Sequence, residues 1–92
     1  MARILVVDDD KGMQELLEIM LTREGYEVTR TGDPTKALQR CRKEQYDLVI
    51  TDLKMPKIDG IEFLKAVKEL SPATMVQVSR YAAGFISVLL IS

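Results

Sequence analysis

Residues 4–10 read ILVVDDD and residues 46–52 read YDLVITD; in each, an apolar run rich in β-branched side chains ends at an aspartate. An apolar run without alternation, as from Arg3 to Val7, marks a strand buried on both faces, and the change to polar residues at Asp8 marks its end. Three consecutive acids follow, Asp8, Asp9 and Asp10. Two carboxylates about 5 Å apart repel by roughly 3 kcal/mol at an effective dielectric near 20, so such a cluster is costly unless a cation sits among its oxygens.

Between and beyond these runs the periodicity changes. From Lys11 to Glu24, Met13, Leu16, Leu17, Met20 and Leu21 recur at i, i+3, i+4, i+7 and i+8, and Gly25 follows as a stop, which predicts a helix. YEVTRTG (26–32) alternates in part and reads as a strand near a sheet edge; Asp33 then offers an N-cap, with Pro34 at the first position of a helix running to about Lys43. After Asp52 the loop LKMPKIDG (53–60) carries Pro56 and Gly60 as punctuation. Ile61, Phe63, Leu64, Val67, Lys68 and Leu70 set a third helix that stops at Ser71-Pro72, and ATMVQVS (73–79) reads as a fourth strand. Strands alternating with helices imply an α/β fold: a parallel sheet with right-handed crossovers and helices on both faces.

Ninety-two residues suffice for one domain. A net charge of -1 argues against nucleic-acid binding through bulk charge, and the absence of histidine argues against imidazole catalysis and His metal ligation. Cys41 is the single cysteine, so no internal disulfide is possible, and the N-terminus lacks the features of a signal peptide; a cytoplasmic location is expected. The apolar run near the C-terminus is too short to span a membrane. In an open parallel sheet the functional crevice lies at the carboxyl ends of the strands, where Asp8, Asp9 and Asp52 all fall. Neighbouring strands lie about 4.8 Å apart, so these carboxylates can converge on one ion. An all-oxygen site suits a small hard cation such as Mg²⁺. Asp10, directly before the first helix, is expected to be its N-cap.

Through ILVVDDD, DLVITDLKMPKIDGIEFL and the order of elements between them, over about residues 3–72, the sequence resembles the receiver domain of two-component response regulators. The resemblance implies a flavodoxin-like, doubly wound sheet. By position it makes Asp52 the phosphoacceptor, Asp9 a direct Mg²⁺ ligand, Asp8 a ligand acting mainly through water, and the main-chain carbonyl of Lys54 a further ligand. The Lys54 side chain itself is read as solvated. The partner implied is a histidine kinase whose phosphohistidine donates to Asp52. No catalysis beyond the domain's own aspartyl phosphate is expected, so the chain is not read as an enzyme.

The family places a Ser or Thr at the end of its fourth strand to hydrogen-bond the phosphoryl group. Ser79 is the candidate here, one residue early, with Arg80 where the hydroxyl is expected. The family's lysine at the end of a fifth strand has no counterpart, since no lysine follows Lys68. The expectation is an incomplete receiver over 1–79, truncated after its fourth strand, followed by an atypical apolar tail over 80–92. For FISVLLI (85–91) three forms are open: an antiparallel strand hairpinned onto the fourth strand, a helix with Tyr81, Phe85, Val88 and Leu89 as its stripe, or a segment exchanged with another chain. Burying four of its large side chains is worth roughly 6 to 12 kcal/mol, so a homodimer through this segment is expected. The alternative to a phosphoacceptor module is therefore a signalling-impaired, self-associating interaction module. A Mg²⁺-dependent phosphohydrolase ranks below both, because TDLKM lacks a second acid two residues after Asp52.

Overall fold

The computed structural model describes residues 2–52, 60–79, 81–82 and 85–86. In chain order the elements are β1 (Arg3–Val7), α1 (Lys11–Arg23), β2 (Glu27–Thr31), α2 (Pro34–Lys43), β3 (Leu48–Asp52), α3 (Gly60–Leu70) and β4 (Met75–Ser79). The four strands form one parallel sheet in the order β2-β1-β3-β4. From β1 the chain steps outward to β2, then returns past β1 to β3 and β4. Crossovers of one hand that grow a sheet first one way and then the other place their helices on opposite faces. Accordingly Leu17 and Leu21 of α1 pack with Ile4, Val6 and Ile50 on one face, while Ala37 of α2 and Phe63 and Val67 of α3 pack with Leu5, Val7 and Val49 on the other. Both sets of β1 side chains are buried, which is why that strand reads as an unbroken apolar run.

The helix ends follow from local chemistry. Asp10 caps α1, its Oδ1 accepting the Met13 N–H at 3.2 Å, and Asp33 caps α2, its Oδ1 accepting the Thr35 N–H at 2.9 Å ahead of Pro34. At the far end of α1 the Tyr26 N–H donates to the Leu21 carbonyl and the Gly25 N–H to that of Thr22, with Gly25 at φ 90°, a Schellman closure that favours glycine. The amino-terminal edge of the sheet is tied shut. Asp47 accepts the Arg3 N–H at 2.7 Å and returns its own N–H to the Arg3 carbonyl at 2.9 Å. Thr74 Oγ1 donates to the Tyr46 carbonyl at 2.7 Å and lies 2.8 Å from Ser71 Oγ.

Two expectations need correction. The buried stripe of α1 is Gln14, Leu17 and Leu21, whereas Leu16 and Met20, 42% and 46% exposed, face outward together with Ile19. The helix is turned so that its narrow side meets the sheet, and no other described element covers Leu16, Ile19 and Met20. Leu70, at the last position of α3, is exposed as well. In the tail, Tyr81–Ala82 (β5) pairs antiparallel with Phe85–Ile86 (β6) in a two-stranded sheet of its own. These two described pieces are extended and paired with each other, in keeping with the strand preference of aromatic and β-branched residues. Residues 87–92 lie outside the described residues.

The rotated stripe has a direct consequence for stability. Leu17→Ala is expected to lower the unfolding free energy by about 2–5 kcal/mol, because it opens a cavity against β1. Ile19→Ala should change it by no more than about 0.5 kcal/mol. Urea denaturation of the two variants checks this, and equal losses would contradict the orientation of α1.

Candidate functional site

Growth of the sheet reverses at β1, so the carboxyl ends of β1 and β3 flank a crevice that no crossover passes over. Val7 pairs in register with Thr51, which puts Asp8 and Asp52 at corresponding positions on adjacent strands. Asp52 in turn is in register with Ser79 on β4. The backbone therefore brings Asp8, Asp9, Asp52 and Ser79 to one edge of three neighbouring strands. The side chains of Asp52 and Ser79, and all of residues 53–59 including the Lys54 carbonyl, lie outside the described residues.

The three consecutive acids have separate surroundings. Asp8 is 1% exposed, its N–H donates to the Thr31 carbonyl at 3.0 Å and its Oδ1 accepts the Asp10 N–H at 2.9 Å, so the buried carboxylate bends the chain sharply out of β1. Asp9, at the outside of that bend, is exposed. Asp10 is spent on the helix cap. The triplet thus divides into a buried carboxylate on a backbone donor, an exposed one, and a third on the positive end of α1.

Two contributors to this turn are not evident from sequence motifs. Gln14 is buried in α1 and its Nε2 donates to the main-chain carbonyl of Asp8, while its Oε1 accepts from Arg30 Nη1 at 3.1 Å. Gly32, just after β2, passes so close that a Cβ there would stand 3.1 Å from Gln14 Nε2 and 3.2 Å from the Asp8 oxygen. The available signal was a polar residue on the helical stripe, at i-3 from Leu17 and i-7 from Leu21.

Among the described residues no three His, Cys, Asp or Glu side chains gather into a metal-holding group. The described donors at the crevice are carboxylates alone. Cys41 packs instead against the core on the α2 side, where burial pushes its thiol pKa up. This donor chemistry fits a hard cation rather than a thiophilic one. Among the described residues no helix is long and apolar enough to cross a membrane.

A doubly wound sheet with acids at its switch point defines a class of α/β domain that works at the carboxyl edge of its strands. Comparison with known proteins narrows the class: the sequence profile of the response regulator receiver domain matches residues 4–83, reaching through β4. The chain belongs to this family. It is 34% identical over 90 residues to the response regulator receiver protein CpdR of Brucella abortus, covering 98% of this chain and 72% of CpdR. The structure is similar to the chemotaxis protein CheY4 of Vibrio cholerae, with a TM-score of 0.80 and 35% identity over 85% of this chain and 67% of that one. It is also similar to response regulator TrrA of Thermotoga maritima in complex with Mg²⁺-BeF (TM-score 0.78, 38% identity, 83% of this chain and 66% of that one). A chain in the crystal structure of histidine kinase ThkA with TrrA gives a TM-score of 0.79 at 37% identity, over 85% and 67% of the two chains. The chain spans less than a third of the length of several transcriptional regulatory proteins that it matches.

The distinct task of Asp10 can be measured. Asp10→Ala is expected to cost about 1 kcal/mol in urea unfolding, whereas Asp10→Asn, which keeps an acceptor oxygen, should cost little.

Proposed function

We propose that this chain is a phosphoacceptor receiver module of a two-component system, taking a phosphoryl group onto Asp52 from the phosphohistidine of a histidine kinase. The observation that carries the reading is the register of β1 with β3, which sets Asp8 and Asp9 beside Asp52 at the switch point. Membership of the receiver family and the similarity to TrrA, solved with Mg²⁺-BeF and in complex with histidine kinase ThkA, support it. In the transfer an Asp52 carboxylate oxygen attacks phosphorus as the P–N bond breaks, and the departing imidazole nitrogen keeps the electron pair and takes a proton from water. An ionised carboxylate is already a nucleophile, so no general base is required.

Asp8, Asp9, Asp52 and the Lys54 carbonyl are the groups assigned to a Mg²⁺ ion, which when bound would neutralise charge on the phosphoryl oxygens. Buried Asp8 is held by the backbone of its own turn, and exposed Asp9 is left to meet the ion. Ser79, in register with Asp52, is assigned a hydrogen bond to the phosphoryl group. The module turns over no substrate beyond its own aspartyl phosphate and acts in the cytoplasm through a partner.

Incubation of the purified chain with Mg²⁺ and phosphoramidate should yield one acid-stable, alkali-labile phosphate that Asp52→Asn abolishes. A chain that takes up no phosphate, or an Asp52→Asn variant that still does, overturns the reading.

A second reading, a self-associating interaction module, is favoured by the outward face of Leu16, Ile19 and Met20 on α1 together with the apolar composition of 85–91. Sedimentation should then show a dimer that truncation from Ser79 onward dissociates or renders insoluble. A well-behaved monomer of the full chain would refute it.

A further inference from the structure

The turn that presents the acids is held from the side by one buried amide. Gln14 occupies a position of α1 that points into the sheet, where a hydrophobic residue would serve for packing alone. Arg30 Nη1 donates to Gln14 Oε1 at 3.1 Å, while Arg30 Nε is anchored by Glu18 Oε1 at 3.3 Å. A guanidinium can only donate, so it fixes the amide with its oxygen toward Arg30 and its NH₂ toward the Asp8 carbonyl. Gly32 leaves the space this contact needs, since a Cβ there would crowd both Gln14 Nε2 and the Asp8 oxygen.

We propose that Gln14 is a positioning residue for the acid pair: its donated hydrogen bond fixes the peptide joining Asp8 to Asp9, and with it the direction in which Asp9 leaves β1 toward a divalent cation. The peptide unit is planar, so holding its carbonyl oxygen also sets its N–H and the Cα of Asp9. The Asp8 N–H is already engaged by the Thr31 carbonyl. β2 and α1 thus clamp the two sides of Asp8, and Arg30 acts on the acids through Gln14. The inference rests on the receiver reading and gives these residues a role that packing alone does not require.

Mn²⁺ is the probe, with its unbound fraction read by electron paramagnetic resonance on the full chain. Gln14→Met is expected to raise the Mn²⁺ dissociation constant about 10- to 100-fold, the effect typical of losing a group that orients a metal ligand. Gln14→Glu should also weaken binding, because it keeps the bond from Arg30 but presents no N–H to the carbonyl. The added negative charge would by itself strengthen cation binding, so the direction of the change separates orientation from charge. Far-ultraviolet circular dichroism of the metal-free variants should match the parent. If a Gln14 variant fails to fold, Arg30→Met, at a half-buried position, carries the test and should weaken binding even though it removes a repelling cation. A folded variant at Gln14 or Arg30 that binds Mn²⁺ as the parent does overturns the proposal and leaves the receiver reading intact. A parent chain that binds no Mn²⁺, or an Asp9→Asn variant that binds it equally well, overturns both.

Discussion

The reversal of sheet growth at β1 is the constraint on which the rest depends. Because β1 is central and its side chains are buried on both faces, it must be apolar from Ile4 to Val7, and no charge can be tolerated until the chain emerges at the carboxyl edge. Because β2 and β3 lie on opposite sides of β1, α1 and the α2–α3 pair are sent to opposite faces and leave a gap above its end. The acids that follow β1 emerge into that gap by the same rule that builds the core. The opposite edge is closed by the Arg3–Asp47 exchange and the Thr74–Tyr46 bond, so polar groups there have a structural task.

At the open edge, neighbouring residues of one type separate by environment. Asp8 gives up exposure and gains a backbone donor, Asp9 keeps its exposure, and Asp10 turns back onto α1. A row of three identical side chains thereby becomes a buried strut, an exposed ligand candidate and a helix cap. Burial of the first is offset in part by the hydrogen bond it accepts from the Asp10 N–H within the turn.

The strands and helices were legible because each had an unambiguous period and clear punctuation. β1 and β3 read as continuous apolar runs, Pro34 and Gly25 bounded helices where the structure bounds them, and the partial alternation of β2 matched its place at the sheet edge. Asp10 and Asp33 were legible as caps because capping is local. The rotation of α1 was not, because Leu16, Leu17, Met20 and Leu21 form a stripe wide enough to admit two orientations, and only contact with β1 chooses between them. Gln14 and Gly32 were missed for a related reason. Their task is defined by a meeting of α1, the end of β1 and the end of β2 between residues 8 and 32, and no short motif records such a meeting.

The two flanks of the main sheet differ in what they offer a neighbouring backbone. β2, EVTRT, carries Glu27 and Arg30, ionic groups that discourage a further chain from lying alongside. β4, MVQVS, bears no charge at all, and among the described residues it is hydrogen-bonded to a strand on one side only. Lateral approach is therefore directional: an incoming polypeptide would meet ionic side chains beside β2 and an uncharged strand beside β4, within one strand of Asp52.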